Sequence, residues 1–328
     1  MRNEAGRPDA PADAYLSLLA TMVFFGSAFA SSKVVVEQVP HQVAALLRFG
    51  GGALILVLIS IALGARRPDG PRLTWRQVVR CGFVGLLGVF AYNLFFFWAL
   101  SLAPSIDGSI IVPVLSPVLT TAALIITGAE RTTMSRGVGL LLGLLGAAAF
   151  FLGVRGTGGE FGGSRLLGDV LFLLGAAAWA AYSIVSKKVL VGMEPLRATT
   201  IATAVGAIAL IIPAAPALPS AEWTAVSGTA WANVVYLAVG PTALAYLLYY
   251  RGLAKVSPST ATVMMFAVPV FGIACSVLFL GESFTAWQIV GSLVMLAGAL
   301  LAVNPWSRSR QLAAAPPARP AQTLGSAR

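Results

Sequence analysis

Arg48 is the residue whose position in this chain makes the strongest chemical demand. It stands in the run Ala44-Ala45-Leu46-Leu47-Arg48-Phe49-Gly50, inside a long apolar stretch. At about 1.5 Å of helical rise per residue it lies on the order of 10 Å below the surface of a bilayer that the stretch crosses. A charge at that depth is costly, so it marks either a contact with a bound solute or a polar lock between helices, and the sequence leaves both open. Lys33 and Lys187 close two other apolar stretches. They read first as snorkelling anchors at helix C-termini, where a cation is favoured.

Trp179, Tyr182 and Ser186 fall at helical spacing on one face, as do Phe25, Ala28 and Ser32. An aromatic, partly polar stripe suits a cavity wall, while ordinary packing is its plainer use. Asn93 shares a face with Phe97, beside Trp98, and a buried amide needs either an interhelical partner or a ligand. Tyr246, Tyr249 and Tyr250 cluster above Thr242, and Ser116 precedes Pro117. The candidate substrate-binding residues are therefore Arg48, Asn93, Trp98, Ser116, Trp179, Tyr182, Tyr246 and Tyr249.

Pro113, Pro117, Pro241 and Pro269 each remove a helical amide donor and free the carbonyl four residues earlier. Kinks are expected at Pro117 and Pro269, and a water-filled cavity is one place where a freed carbonyl is satisfied. Gly139, Gly143 and Gly146, with Gly291 and Gly298, form small-residue faces for close helix packing, within the chain or in a homodimer.

Much chemistry is missing. His41 is the only histidine, and no Walker A loop, Ser/His/Asp set, HExxH motif or paired membrane carboxylate is visible. Cys81 and Cys275 lie in separate apolar runs with no CxxC spacing. Neither enzyme activity, cofactor, metal nor disulfide is expected. Asp107 and Asp169 sit at the ends of apolar stretches and no acid lies in the central part of any, whereas Arg48 and Lys33 offer positive charge. A neutral, zwitterionic or carboxylate-bearing solute is favoured over an organic cation, with the aromatic stripes as the one feature that suits a cation.

The elements that must position these residues are membrane helices. Of 328 residues, 58% are hydrophobic and 10% charged, against about 25% charged in soluble domains. The net charge of +10 is spread in short clusters between apolar runs. That pattern fits membrane orientation better than one nucleic-acid-binding face. Glycine, proline and charge punctuate ten spans: 14–36, 42–64, 78–101, 106–127, 137–154, 167–190, 196–214, 230–253, 258–280 and 286–303. Residues 1–13 and 304–328 read as disordered cytoplasmic tails. The run Tyr15 to Gly26 before Ala28-Phe29-Ala30 has the outline of a signal peptide. Its apolar character continues to Val36, which favours a retained first helix. With both termini inside, 18 of the 22 Lys and Arg residues face the cytoplasm, the exceptions being Lys33, Arg48, Arg155 and Arg165.

The two halves also align with each other. Pro117 maps to Pro269, Glu130 to Glu282, Gly139 to Gly291 and Gly146 to Gly298 at one offset. Phe25 maps to Trp179, Ser32 to Ser186 and Lys33 to Lys187 at a slightly larger one. Five spans per repeat is an odd number, so residues 14–154 and 167–303 enter the membrane from opposite sides, an architecture of secondary transporters.

The motifs resemble the drug/metabolite transporter superfamily, specifically its ten-helix EamA-type branch. The resemblance covers residues 14 to 303 and rests on Arg48, Ala99-Leu100, Gly252-Leu253, Ser116-Pro117, Val268-Pro269 and the glycine turns ending at Glu130 and Glu282. Two departures are Phe25, where the family often has Trp, and the lack of an Arg48 equivalent in the second half. The resemblance implies a secondary transporter of the inner membrane that exports amino acids or other small metabolites. Its substrate site is expected between the repeats, walled by spans one, three, four, six, eight and nine. Rival readings are an organic-cation exporter, a membrane-embedded enzyme and a non-transporting receptor.

Overall fold

The computed structural model of the chain describes residues 12–64, 74–129, 133–155, 163–189, 193–253, 264–283 and 285–303. Glu130, the C-terminal tail and most of the N-terminal tail lie outside the described residues, as does much of the loop charge behind the orientation argument.

Among the described residues the chain is all helical, in ten helices: α1 (Ala12–Val36), α2 (His41–Gly64), α3 (Trp75–Leu102), α4 (Ser105–Ile126), α5 (Met134–Arg155), α6 (Gly163–Val189), α7 (Pro195–Ala214), α8 (228–253), α9 (Val268–Leu280) and α10 (Ala286–Val303). The first eight are long and apolar enough to cross a bilayer, and α9 and α10 are shorter apolar helices. Helix is what a backbone must form in hydrocarbon, where only its own carbonyls can satisfy its amides. The outer faces fit that medium: Leu58, Leu144, Ile212 and Leu278 are exposed. Trp75 and Trp287, at helix starts, are exposed where an interfacial aromatic belt belongs.

One expected span differs. In the ninth, Met264 and Met265 are helical, the chain turns at Phe266–Ala267 and helix resumes at Val268, while residues 254–263 lie outside the described part. Pro269 therefore stands in the first turn of α9, where its missing N–H is an amide that no helix would bond. The helix is interrupted at the turn directly before Pro269, where the interruption was expected. Pro113 and Pro117 remain inside α4.

The halves pack by exchange. Helix α1 lies against α8 and α9 as α6 lies against α3 and α4, while α2 meets α7 and α5 meets α10. At one crossing a Cβ on Gly252 would stand 3.1 Å from the Ala14 carbonyl. At the corresponding crossing a Cβ on Gly168 would stand 3.1 Å from the Ala99 carbonyl. The senses are opposite. Lys33, near the end of α1, donates to the carbonyls of Leu100 and Ala103 at the end of α3 (2.8 and 3.2 Å), and Gly168 near the start of α6 packs on Ala103. Arg251, near the end of α8, meets Asp13 at the start of α1 (3.5 Å).

Helices α5 and α10 touch backbone to backbone. A Cβ on Gly291 would lie 2.5 Å from the Phe150 amide nitrogen and 2.8 Å from the Gly146 carbonyl. One on Gly298 would lie 2.7 Å from the Gly139 carbonyl and against the Gly143 nitrogen. These small residues are thus used inside the chain. Two π-helical segments, Leu86–Ala91 in α3 and Ala238–Leu244 in α8, occupy corresponding places in the two halves. Both border the central cavity, through Gly88 and Pro241, and π-bulges in helices concentrate at functional sites.

Candidate functional site

Between the halves lies a cavity of about 530 Å³. Its walls come from α1, α3, α4, α6, α8 and the segment entering α9, with α2 and Arg136 of α5 in addition to the helices expected from sequence. Of the candidate residues, Arg48, Asn93, Ser116, Trp179, Tyr182, Tyr246 and Tyr249 line it. Trp98 does not. It stacks on His41 at 5.9 Å on the outer side of α3, so its place in the candidate set is corrected. Phe97 is wholly buried against Phe96 in the core, and Lys33 is occupied at the end of α3.

Arg48 is 9% exposed. Its Nη1 donates to Ser32 Oγ at 3.4 Å and its Nε to Thr242 Oγ1 at 3.5 Å, both long contacts with neutral hydroxyls. The guanidinium stands 4.9 Å from the centre of the Phe49 ring and 5.8 Å from that of Phe96. Among the described residues no carboxylate lies within ion-pair distance of it. Ring faces offset part of the desolvation cost, but a buried cation without an anion still favours taking one up. Asn93, fully buried, donates its Nδ2 to the Val89 carbonyl at 2.8 Å, and among the described residues no donor reaches its Oδ1.

Aromatic pairs repeat across the two halves. Trp179 meets Tyr92 edge-on at 5.1 Å, and Phe25 meets Tyr246 edge-on at 5.9 Å. Tyr92 and Phe96 were missed by sequence reasoning. The internal repeat carried the signal for Tyr92, which falls at the position of Tyr246 by the offset that pairs Phe25 with Trp179. Phe96 had no comparable signal. The polar part, by contrast, breaks the symmetry: Arg48 corresponds to Ala202, which packs on Gly85.

The cavity extends towards one end of the bundle, past Thr120, Thr121, Leu124, Ser186 and Arg136. The opposite end is shut by polar contacts. Glu282, following α9, accepts from the amides of Ser105 and Ile106 (2.8 and 2.7 Å), capping α4 from the other half. Arg165 in the first turn of α6 pairs with Asp107 in the first turn of α4 at 2.8 Å. Gln288, which with Thr285 forms the capping box of α10, donates to Asp107 at 3.0 Å. Asp107 and Asp169 are fully buried side by side. The sequence reading that no paired membrane carboxylate exists is therefore corrected. The two acids lie on different helices at equal depth, which linear spacing does not reveal.

A multi-pass helical membrane protein with two like halves, a central cavity open towards one end and a polar closure at the other belongs to the class of small-molecule transporters. The chain belongs to the EamA-like transporter family, which matches residues 13–152 and again 166–304. Its relatives are named as transporters. It is 23% identical over 292 residues to the uncharacterized transporter YyaM of Bacillus subtilis (strain 168), covering 88% of this chain and 92% of that one. It is 25% identical over 304 residues to a probable terminal-alkyne amino-acid exporter of Streptantibioticus cattleyicolor, covering 92% and 97%. It is 29% identical over 232 residues to the aromatic amino acid exporter YddG of Ancylobacter novellus, covering 70% and 76%.

Proposed function

We propose that the protein exports amino acids or amino-acid derivatives across the inner membrane by alternating access, with both termini in the cytoplasm. The observation that carries this reading is the buried Arg48 guanidinium, which has no carboxylate partner among the described residues. A substrate carboxylate supplies the missing anion, the Asn93 Oδ1, which no donor reaches among the described residues, accepts from the substrate ammonium, and the Tyr92–Trp179 and Phe25–Tyr246 pairs enclose an apolar or aromatic side chain. Two of the relatives are named as amino-acid exporters, which agrees with this chemistry.

The test is expression in a strain lacking its own multidrug and aromatic amino-acid exporters. Resistance to toxic aromatic amino-acid analogues is expected, without resistance to ethidium or methyl viologen. The reverse pattern would mean that the aromatic walls hold cations and that Arg48 serves another purpose.

Orientation is tested separately. Reporter fusions after Arg72, Arg136 and Lys255 are expected to read cytoplasmic, and fusions near Glu160 and Ala221 periplasmic, because the Lys and Arg excess lies on the first set of loops. A periplasmic signal after Arg72 overturns the assignment.

A further inference from the structure

Among the described residues at the shut end of the bundle, two buried carboxyls meet one arginine. Asp107 and Asp169 are both 0% exposed. Asp107 accepts from Arg165 (Nε to Oδ2 2.9 Å, Nη2 to Oδ1 3.1 Å) and from Gln288 Nε2. Asp169 lies one helical turn beyond Arg165 and within hydrogen-bonding reach of the Asp107 carboxyl. Among the described residues no N–H or O–H donor reaches either of its oxygens. Among the described residues the groups facing the pair are Arg165 from α6, Glu282 beyond α9 and Gln288 from α10. Lys33 of α1 lies nearby with its ammonium bonded to the end of α3.

Two carboxylates in contact inside a protein do not both stay ionised, because each raises the cost of the other's charge. One proton placed between them turns the contact into an O–H···O⁻ hydrogen bond. The remaining negative charge is matched by Arg165. We infer that Asp107 and Asp169 form a proton-binding site that holds one proton whenever this end of the molecule is shut. When α4 and α6 part here, water reaches both carboxyls and the proton leaves to the solvent on that face. Closure takes one back from the same solvent. The opening step rests on the proposed transport cycle, but the proton itself does not.

The sign follows from linkage. The shut state binds one proton more than the open state, so acidifying the solution on this face favours closure, by up to about tenfold in the population ratio per pH unit while the open pair is ionised. This differs from coupling through an acid in the substrate cavity, since neither Asp107 nor Asp169 lines that cavity.

The experiment is infrared spectroscopy of the purified full-length protein in lipid nanodiscs, without substrate. The wild type is expected to show a protonated-carboxyl band at neutral pH that is lost in both Asp169→Asn and Asp107→Asn, each checked for monodisperse elution and helical content. Absence of the band in the wild type, or its survival unchanged in both folded variants, overturns the proposal. Counterflow in vesicles supplies a second reading, in which the wild-type rate depends on pH on one face and Asp169→Asn flattens that dependence. Equal pH dependence in Asp169→Asn and wild type also counts against the site. A wild-type band with no movement of any amino acid refutes the proposed function and leaves the proton site standing. Amino-acid transport without the band does the opposite.

Discussion

Arg48→Ala is expected to cut transport efficiency on the order of 10- to 100-fold while leaving the protein folded. The size follows from charge-assisted hydrogen bonds to a carboxylate, worth about 1.5–3 kcal/mol each, and from the tenfold in affinity that about 1.4 kcal/mol represents. The effect on stability is expected to be small, because the variant removes a buried charge along with two long contacts to neutral hydroxyls and strands no buried anion among the described residues. Arg48→Lys keeps the charge but loses the planar fork and is expected to fall between the two. Lys33→Ala, outside the cavity, is expected to retain most activity. The measurement is initial-rate uptake into inside-out vesicles at matched expression, with thermal unfolding of each purified variant alongside. If Arg48 merely locks helices, unfolding temperature and transport fall together. Equal and near-normal activity in the Arg48 and Lys33 variants makes Arg48 a dispensable anchor.

A second large effect is expected where α5 meets α10. Gly291→Val places branched carbon at a site where even a Cβ would come within 2.5 Å of the Phe150 backbone nitrogen. Neither backbone can give way without separating the helices, so destabilisation above about 4 kcal/mol is expected, the range in which single changes become diagnostic. Gly298→Val, against the Gly143 nitrogen and the Gly139 carbonyl, is expected to behave in the same way. Gly137→Ala is the contrast, since nothing lies within 4 Å of the added Cβ. There the better helix propensity of alanine is expected to be neutral or to stabilise by up to about 1 kcal/mol. Thermal unfolding in detergent with size-exclusion profiles reads all three variants. Monodisperse, wild-type-like Gly291→Val and Gly298→Val proteins would mean that the α5–α10 contact is looser than the structure has it.

Much of the fold was legible because membrane helices obey local rules. Apolar length sets each span, and glycine, proline and charge end it, so most expected boundaries lie within about four residues of the observed ones. The ninth span departs from this because the chain turns at Phe266–Ala267, directly before Pro269, and regular helix resumes only at Val268. The π-helical segments were not legible either. One contains Pro241, but its counterpart, Leu86 to Ala91, has no proline, and the widening there accompanies the packing of the Tyr182 ring on Gly88.

The candidate site divides along the same line. Arg48, Asn93, Trp179 and Tyr246 were nameable from sequence because a polar or large aromatic residue inside an apolar run is costly or conspicuous wherever the run packs. Trp98 was named on the same grounds and stands outside, since helical periodicity says which residues share a face and not what the face meets. Tyr92 was legible only through the internal repeat, as the counterpart of Tyr246, and its ring stands against Trp179.

The sequence by itself determined the membrane class, the ten helices, the duplication and the place of Arg48 inside an apolar run, because each depends on hydropathy and spacing along one chain. Only the tertiary structure decided that Arg48 stands without a carboxylate among the described residues, that the glycine faces of α5 and α10 meet each other, and that Asp107 and Asp169 share one buried place. Those facts depend on how helices distant in sequence are rotated against one another. Hydrocarbon satisfies any apolar face equally, so close packing and the pairing of buried polar groups, rather than hydropathy, select that rotation.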